Sequence, residues 1–552
     1  MAFIAWRFYF ALGIIAVLIS ALLCRVVYLT LIKQSFLRNE GNARTIRVVD
    51  IPAFRGMIVD RNGNPLAVSA EVFSVWTNPQ EFTPSVTSLR FLHKNLAINP
   101  TELQKNLAKE KAKGREFSYL KRGIEPEVAE KLKQQTIPGL YLQREYKRFY
   151  PEGEIMAHIL GFTNIDDRGQ EGLELAYNDW LQGVPGKKVV VRDRLGHVVS
   201  DIKLLQDQKP GKHLTLSIDR RIQYLAYREL MAGVQENKAR SGTVVVLDAK
   251  TGEILGMANY PSFNPNHRQA GKKENYRNIA ITDVYEPGST IKAFSIACAL
   301  DSGKFKPDTV IDTYPGWIKV GHNVIHDISN YGAITVSQVV QKSSDVGTTK
   351  MVLTLPPERL WELLHKVGFG ELTGVEFPGE QPGSLVKHPV WSPFVFATMS
   401  FGYGMSVTPL QLARAYSVLA NEGAKMPVTL LKKEDAPSKE TVMEPRIAKQ
   451  MLSLLELVVG KGGTGSAAQV PGFRVAGKTG TAKIAGVHGY QEHRYESSFV
   501  GIAPVSNPAL VIVVVLHDPQ GKHYYGGEVA APIFSRIMEG ALRIMNVEPD
   551  AV

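Results

Sequence analysis

Glu286-Pro287-Gly288-Ser289-Thr290-Ile291-Lys292-Ala293-Phe294-Ser295-Ile296-Ala297-Cys298-Ala299-Leu300 decides how this chain reads. The apolar run from Ala293 to Leu300, broken only by Ser295, predicts a buried helix. Ser289 follows Glu286-Pro287-Gly288 and opens that helix, where the peptide dipoles favour developing negative charge. Lys292 stands three residues on, so the spacing places amine and hydroxyl on one helical face. A lysine buried there loses proton affinity by desolvation and can serve as a base for the hydroxyl.

Ser-x-x-Lys alone says little, because it occurs at Ser118/Lys121, Ser200/Lys203, Ser289/Lys292 and Ser384/Lys387. Ser118 and Ser200 sit in charged segments that read as exposed. Ser384 is followed by Pro389 and Pro393, so no long helix can carry it. Two further elements discriminate between the matches. Among the Ser-x-Asn/Asp matches, Ser262-Phe263-Asn264 lies upstream of Ser289, whereas Ser343-Ser344-Asp345 lies between Ser289 and Lys478, expected on a helix beginning near Thr335. Lys-Thr-Gly occurs as Lys250-Thr251-Gly252, which reads as a hairpin turn, and as Lys478-Thr479-Gly480-Thr481. The order Ser289/Lys292, Ser343/Asp345, Lys478/Gly480 is satisfied by one combination only, and this trio belongs to penicillin-binding proteins and class A β-lactamases.

The chain resembles a class B penicillin-binding protein of the division-specific (septal) type. Arg55-Gly56-Met57-Ile58-Val59-Asp60-Arg61-Asn62-Gly63, Arg148-Phe149-Tyr150-Pro151 and Gly169-Gln170-Glu171-Gly172-Leu173-Glu174 carry the resemblance in the first half. Tyr403-Gly404-Met405-Ser406-Val407-Thr408-Pro409-Leu410-Gln411, Tyr525-Gly526-Gly527 and Ala530-Ala531-Pro532-Ile533-Phe534 carry it in the second. The resemblance implies a D-Ala-D-Ala transpeptidase without a cofactor. Ser289 would form the acyl-enzyme and Lys292 take its proton. Ser343 would relay a proton to the leaving D-Ala under the positive field of Lys478. Thr479, Gly480 and Thr481 would bind the carboxylate of the substrate or of a β-lactam antibiotic, and the amides of Ser289 and Thr481 would form the oxyanion hole. The implied partners are peptidoglycan stem peptides, a D-Ala-D-Ala donor and an amine acceptor, with a membrane glycan polymerase and small bitopic division proteins. One position departs from the family: Asp345 stands where Asn is usual. An acid there is placed to bond Lys292 and hold it charged, against its role as base.

At 552 residues the chain exceeds what one core supports, so more than one domain is expected. Phe8 to Cys24 carries no charge, and apolar character resumes after Arg25 through Ile32. That length fits an uncleaved membrane-spanning helix. There is no small-x-small cleavage site, and Leu23 before Cys24 is too large for a lipoprotein signal. The expected organisation is a cytoplasmic tail over 1–7, a transmembrane helix over 8–32, an elongated mixed α/β pedestal of dimerisation type over 33–211, a transpeptidase domain over 212–545, and a tail over 546–552. The fold class is α+β multidomain. Its catalytic domain is expected to be serine β-lactamase-like, an antiparallel sheet between helices. The expected site is the bacterial inner membrane at the septum, with a periplasmic catalytic domain.

Within these domains the pattern predicts a hairpin at Met57–Gly63, a helix from Thr101 to Lys113 capped by Thr101, and a hairpin over Gly183–His197 turning at Arg194-Leu195-Gly196. It also predicts a strand at Leu214–Ile218, a helix from Asp219 through Leu230, strands at Thr243–Leu247 and Ile254–Met257, and a central strand at Leu510–Leu516. The net charge of +11 reads as a basic surface near anionic lipid or polymer, and no nucleic-acid-binding motif accompanies it. Cys24 lies in the apolar run, which leaves Cys298 without a disulfide partner, and His158, His197 and His213 read as isolated polar residues rather than zinc ligands.

Other readings fit less well. The elongation-specific transpeptidase shares the trio but not the septal-type strings. A β-lactamase has no need of the first half, and no Glu-x-x-Leu-Asn is present to activate water. A bifunctional polymerase needs a glycosyltransferase domain, which the first half does not resemble. A dead scaffold would not keep Ser289, Lys292 and Lys478, and a β-lactam sensor would carry a signalling region ahead of Phe8.

Overall fold

The computed structural model describes residues 2–135, 137–192, 198–268, 273–486 and 489–551, and the chain forms two compact units. The first comprises residues 1–54, 70–147 and 183–211. It opens with the helix Ala2–Val27, which continues through a π-helical turn at Tyr28–Ile32. Trp6–Ile32 is long and apolar enough to cross a membrane, and none of its most apolar stretch is buried. Strands Ile46–Ile51, Gly186–Arg192 and Val198–Gln206 form an antiparallel sheet with Val189 opposite Val48 and Lys203. The hairpin expected here is present. Its turn, Arg194-Leu195-Gly196, and His197 lie outside the described residues. A small core of Val75, Leu92, Leu103 and Leu132 joins the helices Val86–Leu96, Pro100–Ala112 and Pro126–Gln134 to the strands beside them. The cap of the second of these helices is Asn99, not Thr101: its Oδ1 accepts from Thr101 N at 2.9 Å. Pro100 takes the first helical position, where its missing N–H costs nothing, and this moves the cap two residues earlier, to Asn99.

The second unit comprises residues 55–69, 148–182 and 212–552. Asp60 Oδ1 closes the predicted Met57–Gly63 turn by accepting from Asn62 N and Asn64 N. The three N-terminal sequence boxes meet in a buried ion cluster. Glu174 takes Arg55 Nε at 2.5 Å and Arg148 Nε at 2.6 Å, with all three side chains out of solvent. Leu214–Ile218 is a strand only at Leu214–Thr215, paired in parallel with Ile58–Val59. Its alternation instead records burial of Leu214, Leu216 and Ile218.

The main sheet has five antiparallel strands: β1 (Ala239–Asp248), β2 (Ile254–Tyr260), β3 (Ala476–Gly486), β4 (Gly489–Ala503) and β5 (Leu510–Pro519), in the order β2-β1-β5-β4-β3. β5 is central, as its unbroken apolar run predicts. Ile512, Val514 and Leu516 face one core, and Val511, Val513 and Val515 face the other. A strand covered on both faces needs no polar alternation. The first core contains helices α1 (Arg220–Glu236) and, near the C-terminus, Ala531–Ile544. Asp219 caps α1 as expected, accepting from Arg221 N at 2.9 Å, although α1 runs past Leu230 to Glu236. The second core holds α2 (Lys292–Asp301), α3 (Val336–Lys342), α4 (Asp345–Val352), α5 (Pro409–Ala420) and α6 (Pro445–Val459). The sheet is therefore sandwiched between helices, as expected.

Candidate active site

Ser289 lies in a 3-10 turn, Gly288–Ile291, that runs into α2. Gly288 has φ 56°, and Gly402 packs so close that a Cβ on it would stand 2.2 Å from Gly288 O. Tyr416 OH donates to Thr290 O at 2.7 Å and Thr290 Oγ1 to Pro287 O at 2.9 Å, which pins the turn from beneath. Ser289 Oγ is left half-exposed, with no hydrogen-bond partner among the described residues.

Ser343 and Asp345 are not on the helix that starts at Thr335. That helix, α3, begins with the Thr335/Gln338 capping box but ends at Lys342. Ser343 is left-handed (φ 58°, ψ 42°), and Ser344 caps α4 through Gly347 N at 2.8 Å. A left-handed residue terminates an α-helix, so the motif occupies the joint between two helices.

That joint is where the amines converge. Lys292 Nζ donates to Ser343 O at 2.5 Å and to Ser343 Oγ at 3.1 Å, and stands 2.7 Å from Asp345 Oδ1. The last contact is a close ion pair rather than an aligned hydrogen bond, since Asp345 Oδ1 has no partner by angle. Lys478 Nζ donates to the same Ser343 Oγ at 2.8 Å. Both lysines are buried. Burial, and then the charge of Lys292, hold the Lys478 amine well below the usual lysine range, with Asp345 acting in the opposite sense.

Lys478, Thr479, Gly480 and Thr481 run along β3. A Cβ on Gly480 would stand 2.4 Å from Ser498 Oγ and 2.9 Å from Thr290 Cγ2, so only glycine lets β3 lie against the serine turn. Thr481 Oγ1 accepts from Gly526 N at 3.0 Å. Thr479 Oγ1 lies 3.0 Å from Thr464 Oγ1. Thr464 escaped the sequence reading; its one signal is the glycine-rich stretch Gly460–Gly465.

The competing matches fall elsewhere. Ser118/Lys121 and Ser200/Lys203 lie on strands, where residues three apart point to opposite faces. Ser384 makes only an isolated bridge to Ser406. The Lys250–Gly252 turn is closed by Asp248 Oδ1, which accepts from Lys250 N and Thr251 N. Ser262 Oγ donates to Glu154 O. Two histidines are not isolated. His158 is buried and Nε2 lies 2.8 Å from Asn275 O, with burial lowering its pKa to about 4. His213 Nδ1 accepts from Met57 N at 2.9 Å. Cys298 is enclosed in α2, where burial pushes its thiol up to about 12.

Residues 242–539 match the penicillin binding protein transpeptidase domain and residues 50–216 the penicillin-binding protein dimerisation domain. The chain is 42% identical over 554 residues to the peptidoglycan D,D-transpeptidase FtsI of Escherichia coli K12, covering 100% of this chain and 94% of that protein. It is 41% identical over 549 residues to the probable peptidoglycan D,D-transpeptidase PbpC of Pseudomonas aeruginosa, covering 99% and 96%. Penicillin-binding protein 3 of Mycobacterium tuberculosis in complex with aztreonam superposes with a TM-score of 0.70 at 28% identity, covering 91% of this chain and 98% of that one. Lys292, Ser343 and Lys478 thus meet within a transpeptidase domain that follows a dimerisation domain, and the chain belongs to the class B penicillin-binding proteins.

Proposed function

We propose that this chain is the peptidoglycan D,D-transpeptidase of the division septum. Support comes from the two buried amines that meet at one hydroxyl, Ser343 Oγ, next to the turn that carries Ser289. Ser289 Oγ attacks the carbonyl between the two terminal D-Ala residues while Lys292, once neutral, takes its proton. The amides of Ser289 and Thr481 receive the oxyanion. The C–N bond then breaks as Ser343 gives its proton to the departing D-Ala amine and regains one from Lys292, while Lys478 holds the relay polarised. An amine of a second stem peptide attacks the ester and forms the cross-link as the ester C–O bond breaks, its proton passing through Lys292 to the departing Ser289 Oγ. Thr479 and Thr481, with Gly480 keeping the strand flat, bind the terminal carboxylate, and a β-lactam carboxylate takes the same place. Asp345 stands in for the usual Asn beside Lys292.

Residues 8–32 span the inner membrane once, with 1–7 cytoplasmic and the transpeptidase domain of 212–545 periplasmic. The pedestal of 33–211 and the anchor meet a membrane glycan polymerase and bitopic division proteins. Relatives named FtsI favour the septal over the elongation assignment. The test is intact mass of the full chain after benzylpenicillin. One adduct mapping to the peptide that contains Ser289 supports the proposal, and no adduct, or an adduct elsewhere, overturns it.

A further inference from the structure

Asp327 follows the short strand Asn323–His326 and lies outside the motif trio. Its carboxylate nonetheless holds the Ser343–Asp345 joint at three points. Oδ2 accepts from Ser344 Oγ at 2.6 Å, and Oδ1 accepts from Asp345 N at 2.5 Å and Val346 N at 3.0 Å. Its own N–H is anchored on Gly316 O at 2.9 Å. The partners are consecutive residues that begin immediately after Ser343, which is held left-handed without being glycine. Such a conformation persists only where the surroundings impose it. Ser344 Oγ is itself engaged twice, donating to Asp327 and accepting from Gly347 N, so Asp327 and the first turn of α4 form one clamp.

We propose that Asp327 is a positioning residue for transpeptidation: it sets the joint so that Ser343 Oγ meets both amines and Asp345 meets Lys292. This rests on the transpeptidase reading above. Two consequences separate it from a residue that only stabilises the fold. Geometry comes first. Without the three acceptor contacts, Ser343 leaves the point where Lys292 and Lys478 converge, and misplacement by about 1 Å costs on the order of a hundredfold in rate. Charge comes second. Asp327 interacts electrostatically with Lys292 and Asp345, and burial raises its own pKa. Among the described residues, the other ionisable groups facing this cluster are Lys478 from β3, the Tyr331 hydroxyl, whose pKa burial raises first, then Asp327 and Asp345, and the Tyr403 hydroxyl, whose pKa burial raises first and Asp345 raises further. Removing one negative charge near an amine makes its neutral form available at lower pH.

The experiment measures the benzylpenicillin acylation rate of the full chain in detergent from pH 5 to 9, with thermal melting in parallel, for wild type, Asp327→Ala and Asp327→Asn. Asp327→Ala is expected to lower the plateau rate by on the order of tenfold to a hundredfold in protein that still melts cooperatively. Asp327→Asn keeps an acceptor for the two amides, so its plateau should stay within about threefold of wild type while its rising limb moves to lower pH. Plateau rates of folded Asp327→Ala equal to wild type overturn the proposal. Should Asp327→Ala not fold, Asp327→Asn decides: a profile superimposable on wild type overturns the proposal, and a displaced one supports it. Ser289→Ala is run alongside. If wild type takes no label, or Ser289→Ala labels as wild type does, the transpeptidase reading itself has failed and the proposal falls with it. Normal wild-type labelling with unaffected Asp327 variants removes the positioning role alone.

Discussion

Lys292 Nζ and Asp345 Oδ1 stand 2.7 Å apart, with the lysine buried and the carboxylate side chain 32% exposed. A carboxylate about 4 Å from an ammonium is worth on the order of 4 kcal/mol at an effective dielectric near 20. Water at the exposed side of Asp345 reduces this. A base must lose its proton before it can accept one, so an ionised Asp345 works against acylation at low pH. Asp345→Asn is expected to move the rising limb of the acylation rate to lower pH. Benzylpenicillin acylation rates of both proteins across pH test this. Superimposable profiles would mean that Asp345 serves only as a hydrogen-bonding stand-in for Asn.

Ser289→Ala is expected to abolish covalent penicillin labelling with little change in melting temperature, because the side chain is half-exposed and makes no hydrogen bond among the described residues. Ser384→Ala is the control and should label normally, since Ser384 sits on an isolated bridge and lacks a helical lysine partner. Gel fluorography with a labelled penicillin reads both.

His158 makes stability depend on pH. Burial lowers its pKa from 6.5 to about 4, so the unfolded chain binds a proton more readily than the folded one below neutrality. The stability it contributes is fully present above pH 6.5 and is lost as pH falls toward 4, to a limit of about 3 kcal/mol. His158→Asn, which keeps a donor for Asn275 O but does not titrate, should flatten the decline of melting temperature across that window. An unchanged slope would assign the acid sensitivity to other groups.

A chain beginning at Gln34 should remain in the supernatant without detergent and still be acylated by benzylpenicillin. The apolar helix ends at Ile32, and none of its most apolar stretch is buried against the rest of the protein. Sedimentation and labelling check this; aggregation of the shortened chain would show that the helix does more than anchor.

Much of this protein was legible in its sequence because the deciding signals are local. The run Leu510–Leu516 announces a strand covered on both faces, and Asp219, Pro287-Gly288 and the uncharged Phe8–Cys24 stretch mark their elements within a few residues of themselves. Helical spacing alone brings Ser289 and Lys292 to adjacent turns of the chain, although Lys292 Nζ spends its hydrogen bonds on Ser343. The sequence order of the three motifs selects Ser289, Ser343 and Lys478 from several weak matches, and the structure joins two of these, Ser343 and Lys478, by a hydrogen bond.

What the sequence could not settle involves distance along the chain. Where α3 stops depends on Ser343 turning left-handed, and that turn is held by Asp327, sixteen residues earlier and without any motif of its own. Thr464 reaches Thr479 only because its loop folds back against β3. The meeting of Arg55, Arg148 and Glu174 joins residues up to 119 positions apart. Local propensity chooses elements, since it depends on neighbours within a turn or two. Hydrogen-bond partners and ion pairs between distant segments depend on how those elements pack, and only the tertiary structure decided that Lys292 and Lys478 would share one hydroxyl.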